Sequence, residues 1–326
     1  MTGKLTDDEW IAAWHAAAGS PARMARATGI GIRNVFARRL SLVSKGHELD
    51  TNPAAISKDT AWAYPRKRDI KITDGTAIVY SDAHFWPGLP ITVGFRALLA
   101  LISVLRPVAV IANGDLSDFP KISRFARTGW QKLPGVMDEL DEVKARQADI
   151  KALCGGAATL RTIGNHCVRF DTFLANHAAD FEGIAGTRLA DHLPDWPEAW
   201  SVRINDDCVI KHRWHGGVHA AWNNVVKGGV TIVTGDTHRL DARPFMDYRG
   251  VRWGVETGML SVPPQELSDA GEGPFEFFED KPAAWTQGFA VLTWHRGRLL
   301  QPELCRVDGG TAWFRATAIA SDPEEA

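Results

Sequence analysis

Five short runs of β-branched and apolar residues, each breaking off into Asp, Asn or His, set the frame for any fold this chain can adopt. They are Thr76 to Tyr80, Val108 to Ala112, Thr159 to Ile163, the less apolar Cys208 to Trp214, and Val230 to Val233. Runs this short, stopped by glycine or polar residues, read as strands buried in a sheet rather than as helices. Between them Val93 to Leu105, Gly135 to Leu153 and Val218 to Lys227 read as helices, so strands and helices alternate. The last third changes character. Val251 to Val255, Phe289 to His295, Arg298 to Val307 and Thr311 to Thr317 read as consecutive strands joined by turns such as Arg296-Gly297 and Asp308-Gly309-Gly310. The expected class is α/β with mixed sheets, and the acidic, Pro-rich stretch from Ser261 to Ala284 is expected to be a surface loop.

The front of the chain follows another rule. Residues 6 to 45 carry apolar positions at helical spacing, punctuated by Gly19-Ser20, Gly29 and Gly31, and parse as three short helices. The expected division is a small all-α module over 1–46, a polar linker over 47–70 with Asn52-Pro53 and Arg66-Lys67-Arg68, and a catalytic domain over 71–326. A formal net charge of -2 gives no global pull toward nucleic acid or membrane, so any charge argument is local. The four cysteines lie far apart without a C-x-x-C pair, which disfavours a disulfide framework or a zinc finger and suits a reducing cytoplasm. The start is polar and acidic, and no apolar run approaches membrane-spanning length, so neither secretion nor membrane insertion is expected.

The chemistry lies at the strand ends. Tyr80 runs into Ser81-Asp82-Ala83-His84, Ala112 into Asn113-Gly114-Asp115 and on to Asp118, and Ile163 into Gly164-Asn165-His166. Trp214 is followed by His215-Gly216, and Val233 leads to Gly235-Asp236-Thr237-His238. Open α/β sheets gather their sites at the carboxyl ends of strands, so these residues are expected to converge. Oxygen donors mixed with imidazole suit Mn²⁺, Fe or Zn²⁺ better than an all-carboxylate set would. Two such ions sharing one carboxylate activate water and neutralise phosphoryl oxygens.

The ordered series D-x-H, G-D-x-x-D, G-N-H, H-G and G-x-x-H resembles the calcineurin-like metallophosphoesterase family, over most of Thr76 to His238. Gly254-Val255-Glu256-Thr257-Gly258 and Trp285-Thr286-Gln287-Gly288-Phe289 are similar to bacteriophage and prophage members. The resemblance implies an α-β-β-α sandwich and two divalent ions, Mn²⁺ foremost, with Mg²⁺, Fe or Zn²⁺ as alternatives. It implies that Asp82, His84 and His238 hold one ion, that Asp115 bridges, and that Asn165 and His215 serve the second. His166 matches the position that protonates the leaving group or steadies phosphate, and Asp118 the acid that orients it. Two positions depart from the family. Asp236 stands where an imidazole is usual, which favours harder ions or weakens the second site, and Cys167 stands where a carboxylate is usual. Cys167 is expected to be a small packed side chain rather than a nucleophile.

In the crowded segment around Lys211 to His219, His215 is the expected ligand because its following glycine resembles the family's His-Gly turn. His212 and His219 are then structural or substrate-side groups, and Arg239 is a candidate phosphate contact. Core packing is the expectation for Trp214, Trp222 and Trp285. Pro21 to Leu40 resembles a helix-turn-helix, and Ser20 to Lys45 holds basic residues without an acid, so Arg33, Arg38 and Arg39 are candidate DNA contacts. The expected function is two-metal hydrolysis of a phosphoester, foremost a diester in nucleic acid. The alternatives are a phosphomonoesterase on a protein or small molecule, and a DNA-binding regulator whose phosphoesterase site has decayed.

Overall fold

The computed structural model describes residues 5–17, 19–49, 64–263, 273–275 and 284–322. The chain divides into two compact units, Met1–Tyr64 and Pro65–Ala326. Most of the stretch read as a linker, 47–70, lies outside the described residues, as does most of the loop read over Ser261 to Ala284. The end of that linker is instead a strand of the second unit, because Arg68–Ile70 pairs in parallel with Val202–Ile204.

The first unit consists of α1 (Asp7–Ala16), α2 (Pro21–Thr28) and α3 (Ile32–Ser44). Thr6 and Glu9 form a reciprocal capping box at the start of α1, and Ser20 with Pro21 opens α2. Gly29 takes the left-handed conformation that ends α2, at φ 68°. Trp10, Trp14, Met24, Val35 and Leu42 are wholly buried, and the two indoles stack with centroids 5.4 Å apart. So small a core depends heavily on its two largest side chains.

The second unit begins with β1 (Arg68–Ile70), β2 (Gly75–Tyr80), α4 (Val93–Leu105), β3 (Ala109–Asn113), α5 (Val136–Leu153) and β4 (Ala158–Thr162). It continues through α6 (Val168–His177), α7 (Leu189–His192), β5 (Glu198–Ala199), β6 (Val202–Ile204), β7 (Cys208–Ile210), α8 (Ala220–Gly228) and β8 (Thr231–Thr234). Among the described residues the remaining elements are all strands: β9 (Leu240–Asp247), β10 (Gly250–Thr257), β11 (Gly288–His295), β12 (Arg298–Leu299), β13 (Glu303–Asp308), β14 (Thr311–Phe314) and β15 (Thr317–Ser321). One sheet runs β1-β6-β7-β8-β10-β9, and the other runs β15-β14-β13-β11-β2-β3-β4-β5 with β12 on β11.

The two sheets pack face to face. Ala77, Val79, Ile111 and Leu292 of the larger sheet share a buried cluster with Val202, Ile210, Val233 and Val255 of the smaller. The other face of the larger sheet buries Ile78, Val110 and Phe289 against Leu98 and Ile102 of α4, Leu140 and Val143 of α5 and Phe170 of α6. α8 covers the smaller sheet, turning Ala220, Ala221 and Val225 inward. The result is an α-β-β-α sandwich in which β2-β3-β4 and β7-β8-β10 are parallel within mixed sheets.

Three features of the closing strands differ from the sequence reading, each for a local reason. Arg298 to Val307 is split around Pro302, which has no N–H to donate to a ladder. Thr311 to Thr317 is a hairpin turning at Arg315 and Ala316, at φ 51° and 59°, values that side chains other than glycine rarely signal. β9 escaped notice because it is a half-exposed edge strand carrying Asp241, Arg243 and Pro244.

Trp14→Ala is expected to cost the first unit about 3–5 kcal/mol, the usual loss for a fully buried Trp. Hydrogen exchange should then show amides of α1 to α3 losing protection while those of β2 and β3 keep theirs.

Candidate metal centre

Four parallel strands deliver a polar residue at the same offset from their ends. β2 ends at Tyr80 and is followed two residues later by Asp82; β3 ends at Asn113 and gives Asp115; β7 ends at Ile210 and gives His212; β8 ends at Thr234 and gives Asp236. Asn165 follows β4 by three. The loops stay paired beyond the sheet, with Asp82 N donating to Gly114 O at 3.1 Å and His84 N to Asp115 O at 3.1 Å. Asp82, His84, Asp115, Asp236 and His238 all have positive φ, between 38° and 66°. Such a concentration of left-handed non-glycine residues is a mark of functional sites. Gly164 permits the close approach, since a Cβ there would fall 2.0 Å from Asp115 Oδ1.

Two adjoining groups of donor atoms result. Asp82, His84 and His238 converge in the first, with His238 Nε2 3.2 Å from Asp82 Oδ1. In the second, His212 Nε2 lies 3.0 Å from Asp115 Oδ2, 3.1 Å from Asn165 Oδ1 and 3.8 Å from Asp236 Oδ1. Asp82 and Asp115 also meet within one compact group with His212, so the two sets share a carboxylate boundary. The backbone N–H of Asp236 donates to both carboxylate oxygens of Asp82, at 3.2 and 3.1 Å. The segment from Gly254 to Gly258 braces this arrangement: Glu256 accepts from the Thr237 hydroxyl, and Thr257 Oγ1 sits 2.6 Å from Ser81 Oγ, which donates to Asp82.

His212 takes the place that the sequence assigned to His215. The expected strand ran on to Trp214, but β7 stops at Ile210. His212 Nδ1 bonds to Asn113 O at 2.7 Å, and that bond aims Nε2 at the carboxylates. His215 is held elsewhere: its backbone bonds Asn224 and its ring lies 4.9 Å from that of Trp214.

The charges are strongly coupled. Burial works to raise Asp82 and Asp115, but neighbouring imidazoles outweigh it and hold both carboxyls below their usual range. Burial opposes a proton on His212, yet Asp115 and then Asp82 push the imidazole up to about 10. Asp236 is raised, chiefly by burial. His84 is lowered by burial; its Nδ1 lies 3.5 Å from Asp118 Oδ1, while its buried Nε2 makes no hydrogen bond among the described residues. Leaving such groups unpaired costs about 1–3 kcal/mol each. Imidazole nitrogens without partners, facing carboxylates and an amide oxygen, are a donor set that fits divalent cations.

Beside this cluster stands a histidine–aspartate pair. His166 Nδ1 contacts Asp118 Oδ1, and its Nε2 lies 3.9 Å from Asp115 Oδ2. Burial works against a proton on His166, but Asp118 and Asp115 raise it above the ordinary imidazole value. Two residues that the motif reading missed complete the group. Arg169, one helical turn after His166, donates to Asp118 O at 2.6 Å and lies 3.4 Å from His166 Nε2. Glu139 on α5 accepts from the backbone N–H groups of Asp118 and Phe119 at 3.1 and 2.7 Å. The i, i+3 spacing of His166 and Arg169 was a readable signal; Glu139 had none, being brought in by tertiary packing. Cys167 is buried, and burial pushes its thiol up to about 11, so it is a packed side chain.

Other candidate residues fall outside the cluster. His219 is exposed at the start of α8, and Arg239 donates to Gly217 O at 2.8 Å. Trp214 and Trp222 are exposed rather than packed, while the ring of Trp285 lies 4.2 Å from that of His238. In the first unit Arg38 bonds Leu5 O and Asp7, and Arg39 bonds Leu49 O and lies over the Trp14 ring, so both are engaged within the module. Arg33 alone of the three is exposed.

No family model matches the chain. Two proteins named gene 54 protein, from Mycobacterium phages D29 and L5, are each 25% identical over 243 residues, spanning 66% of this chain and 88% of theirs. Among solved structures, a single mutant of Vps29 from Entamoeba histolytica aligns with 74% of this chain and 98% of its own at 14% identity and TM-score 0.38. Wild-type Vps29 in complex with zinc, from the same organism, aligns with 75% and 99% at 12% identity and TM-score 0.38. Among the described residues, no helix is long and apolar enough to cross a membrane.

Burial raises the Glu139 carboxyl to about 8. The folded state therefore holds a proton that the unfolded state sheds near 4.5, and stability falls as pH rises from there toward 8, by at most about 1.4 kcal/mol per unit. Thermal unfolding across this range should show Glu139→Gln gaining on the wild type as pH rises. For the cluster, cation binding must displace the His212 proton, so metal affinity should climb with pH and calorimetry in buffers of different ionisation heat should detect proton release. His212→Ala should remove that release.

Proposed function

We propose that this chain is a calcineurin-like, two-metal phosphoesterase that cleaves phosphodiesters, with nucleic acid as the substrate class. The observation that carries the reading is the Asp115 carboxylate, standing between the Asp82–His84–His238 group and the Asn165–His212–Asp236 group with His166 at its edge. Divalent cations held by these two groups would polarise the phosphoryl oxygens and supply an activated water. Asp236, a carboxylate where an imidazole is usual, favours Mn²⁺ or Mg²⁺ over Zn²⁺.

The chain's own residues divide the remaining work. His166 carries the proton for the leaving oxygen, and Asp118 fixes its ring and keeps it protonated. Glu139 pins the backbone of Asp118, and Arg169 sets a planar guanidinium beside His166, where it can pair with phosphate oxygens. A full set of donors, with unpaired imidazole nitrogens among them, supports a working centre over a decayed one. The similarity to mycobacteriophage proteins supports a setting in the cytoplasm of an infected bacterium.

The first unit supports a protein-docking reading better than a base-reading one. The outward face of α3 carries Ile32, Phe36, Leu40 and Val43, which are 46%, 47%, 64% and 43% exposed. A helix that reads base edges presents polar donors and acceptors instead.

With Mn²⁺, bis(4-nitrophenyl) phosphate should be hydrolysed faster than 4-nitrophenyl phosphate, and Asp115→Ala should abolish both rates; faster monoester turnover would favour the phosphomonoesterase alternative. His166→Ala should slow cleavage of a nucleotide diester by about 10²–10⁴-fold. It should affect the nitrophenyl ester far less, because nitrophenolate leaves without a proton.

A further inference from the structure

The stretch between β3 and α5 is dense in basic charge. From Phe119 to Gly135 it carries Lys121, Arg124, Arg127 and Lys132 and no acidic residue, in a chain whose formal net charge is -2. It also exposes two large aromatics, Phe125 at 64% and Trp130 at 92%. Each ring has a guanidinium beside it: Arg124 lies 4.9 Å from the Phe125 centroid and Arg127 5.8 Å from that of Trp130. Neither ring belongs to a core cluster.

This stretch borders the metal centre. A cleft of about 390 Å³ is lined by Asp118, His166 and Arg169 together with Phe125, Arg127 and Gln131, and Arg124 and Trp130 belong to the same stretch outside that lining. A substrate phosphate at His166 would therefore have its flanking groups against the aromatic and cationic wall. Lone exposed apolar residues need no explanation, but paired aromatic and guanidinium groups on an acid-free wall beside a phosphoester site have a specific chemistry. Flat rings accept unpaired bases of any sequence, and interleaved cations follow the phosphates. A duplex keeps its base faces stacked inside and offers such rings nothing.

We propose that the Phe119–Gly135 stretch is a binding platform for single-stranded nucleic acid, with Phe125 and Trp130 stacking bases next to the bound phosphate and Arg124 and Arg127 following the backbone. The proposal rests on the phosphodiesterase reading for the position of that phosphate. The substrate is then a single strand.

Fluorescence anisotropy with a labelled mixed-sequence oligonucleotide of about twelve nucleotides, on full-length protein in EDTA, measures binding without cleavage. The wild type should bind the single strand at least about tenfold more tightly than the matching duplex, since each stacked base contributes on the order of 1–3 kcal/mol. Phe125→Ala/Trp130→Ala should erase that preference. Arg124→Ala/Arg127→Ala should flatten the salt dependence by roughly 1.4 in log–log slope, about 0.7 for each phosphate no longer neutralised. Thermal unfolding of both variants keeps a folding defect from passing as a binding defect. Equal binding of single strand and duplex by the wild type, or an unchanged single-strand affinity in the folded aromatic variant, would overturn the proposal. The two readings can fail separately. Platform-dependent binding without metal-dependent hydrolysis of bis(4-nitrophenyl) phosphate sinks the phosphodiesterase and keeps the platform; hydrolysis without oligonucleotide binding does the reverse.

Discussion

The contact between Asp115 and His212 is the constraint around which the second unit is arranged. It joins the tip of a strand in the larger sheet to the tip of one in the smaller, and the two sheets supply the remaining donors from either side. Buried carboxylates this close to one another repel, and the imidazoles answer that repulsion: Asp115 favours a proton on His212, and Asp118 favours one on His166. A cation would replace one proton by a larger charge at the same place. The cluster is in this sense built around positive charge.

The backbone shows the same commitment. Five residues of the centre lie in the left-handed region, and the loops that carry them are tied down by Glu139, Glu256, Thr257 and Ser81. Strain of this kind persists only where surrounding structure over-determines it. The sandwich supplies that surrounding through two buried faces of the larger sheet, one against the smaller sheet and one against α4 to α6. Function at the strand tips and stability in the layers are thus separate properties of the same strands.

Much of this was legible in the residue order. Short apolar runs announced β2, β3, β4 and β8, and the polar residues after them announced where chemistry would gather, because neighbouring parallel strands release their next residues at one edge of the sheet. The fourth tip was misread because Lys211 to His215 is not apolar enough to show where β7 ends; its histidines can be told apart only by the sheet, which puts His212 at the offset shared with Asp82, Asp115 and Asp236. Glu139 was invisible for a different reason: it lies on the inward face of α5, and nothing in the residue order separates it from Asp138, Asp141 and Asp149 of the same helix, which are exposed. Arg38 and Arg39 looked like a free basic face because sequence cannot show that Asp7, Leu5 and Leu49 fold back to meet them.

The number of cations the centre holds, and the histidine that holds them, are what a two-metal site must show first. Dialysis of the full chain against Mn²⁺, followed by elemental analysis, should give two ions per chain for the wild type and for His215→Ala, and one for His212→Ala. Two ions retained by His212→Ala with one lost by His215→Ala would contradict this centre, as would a wild type that binds none.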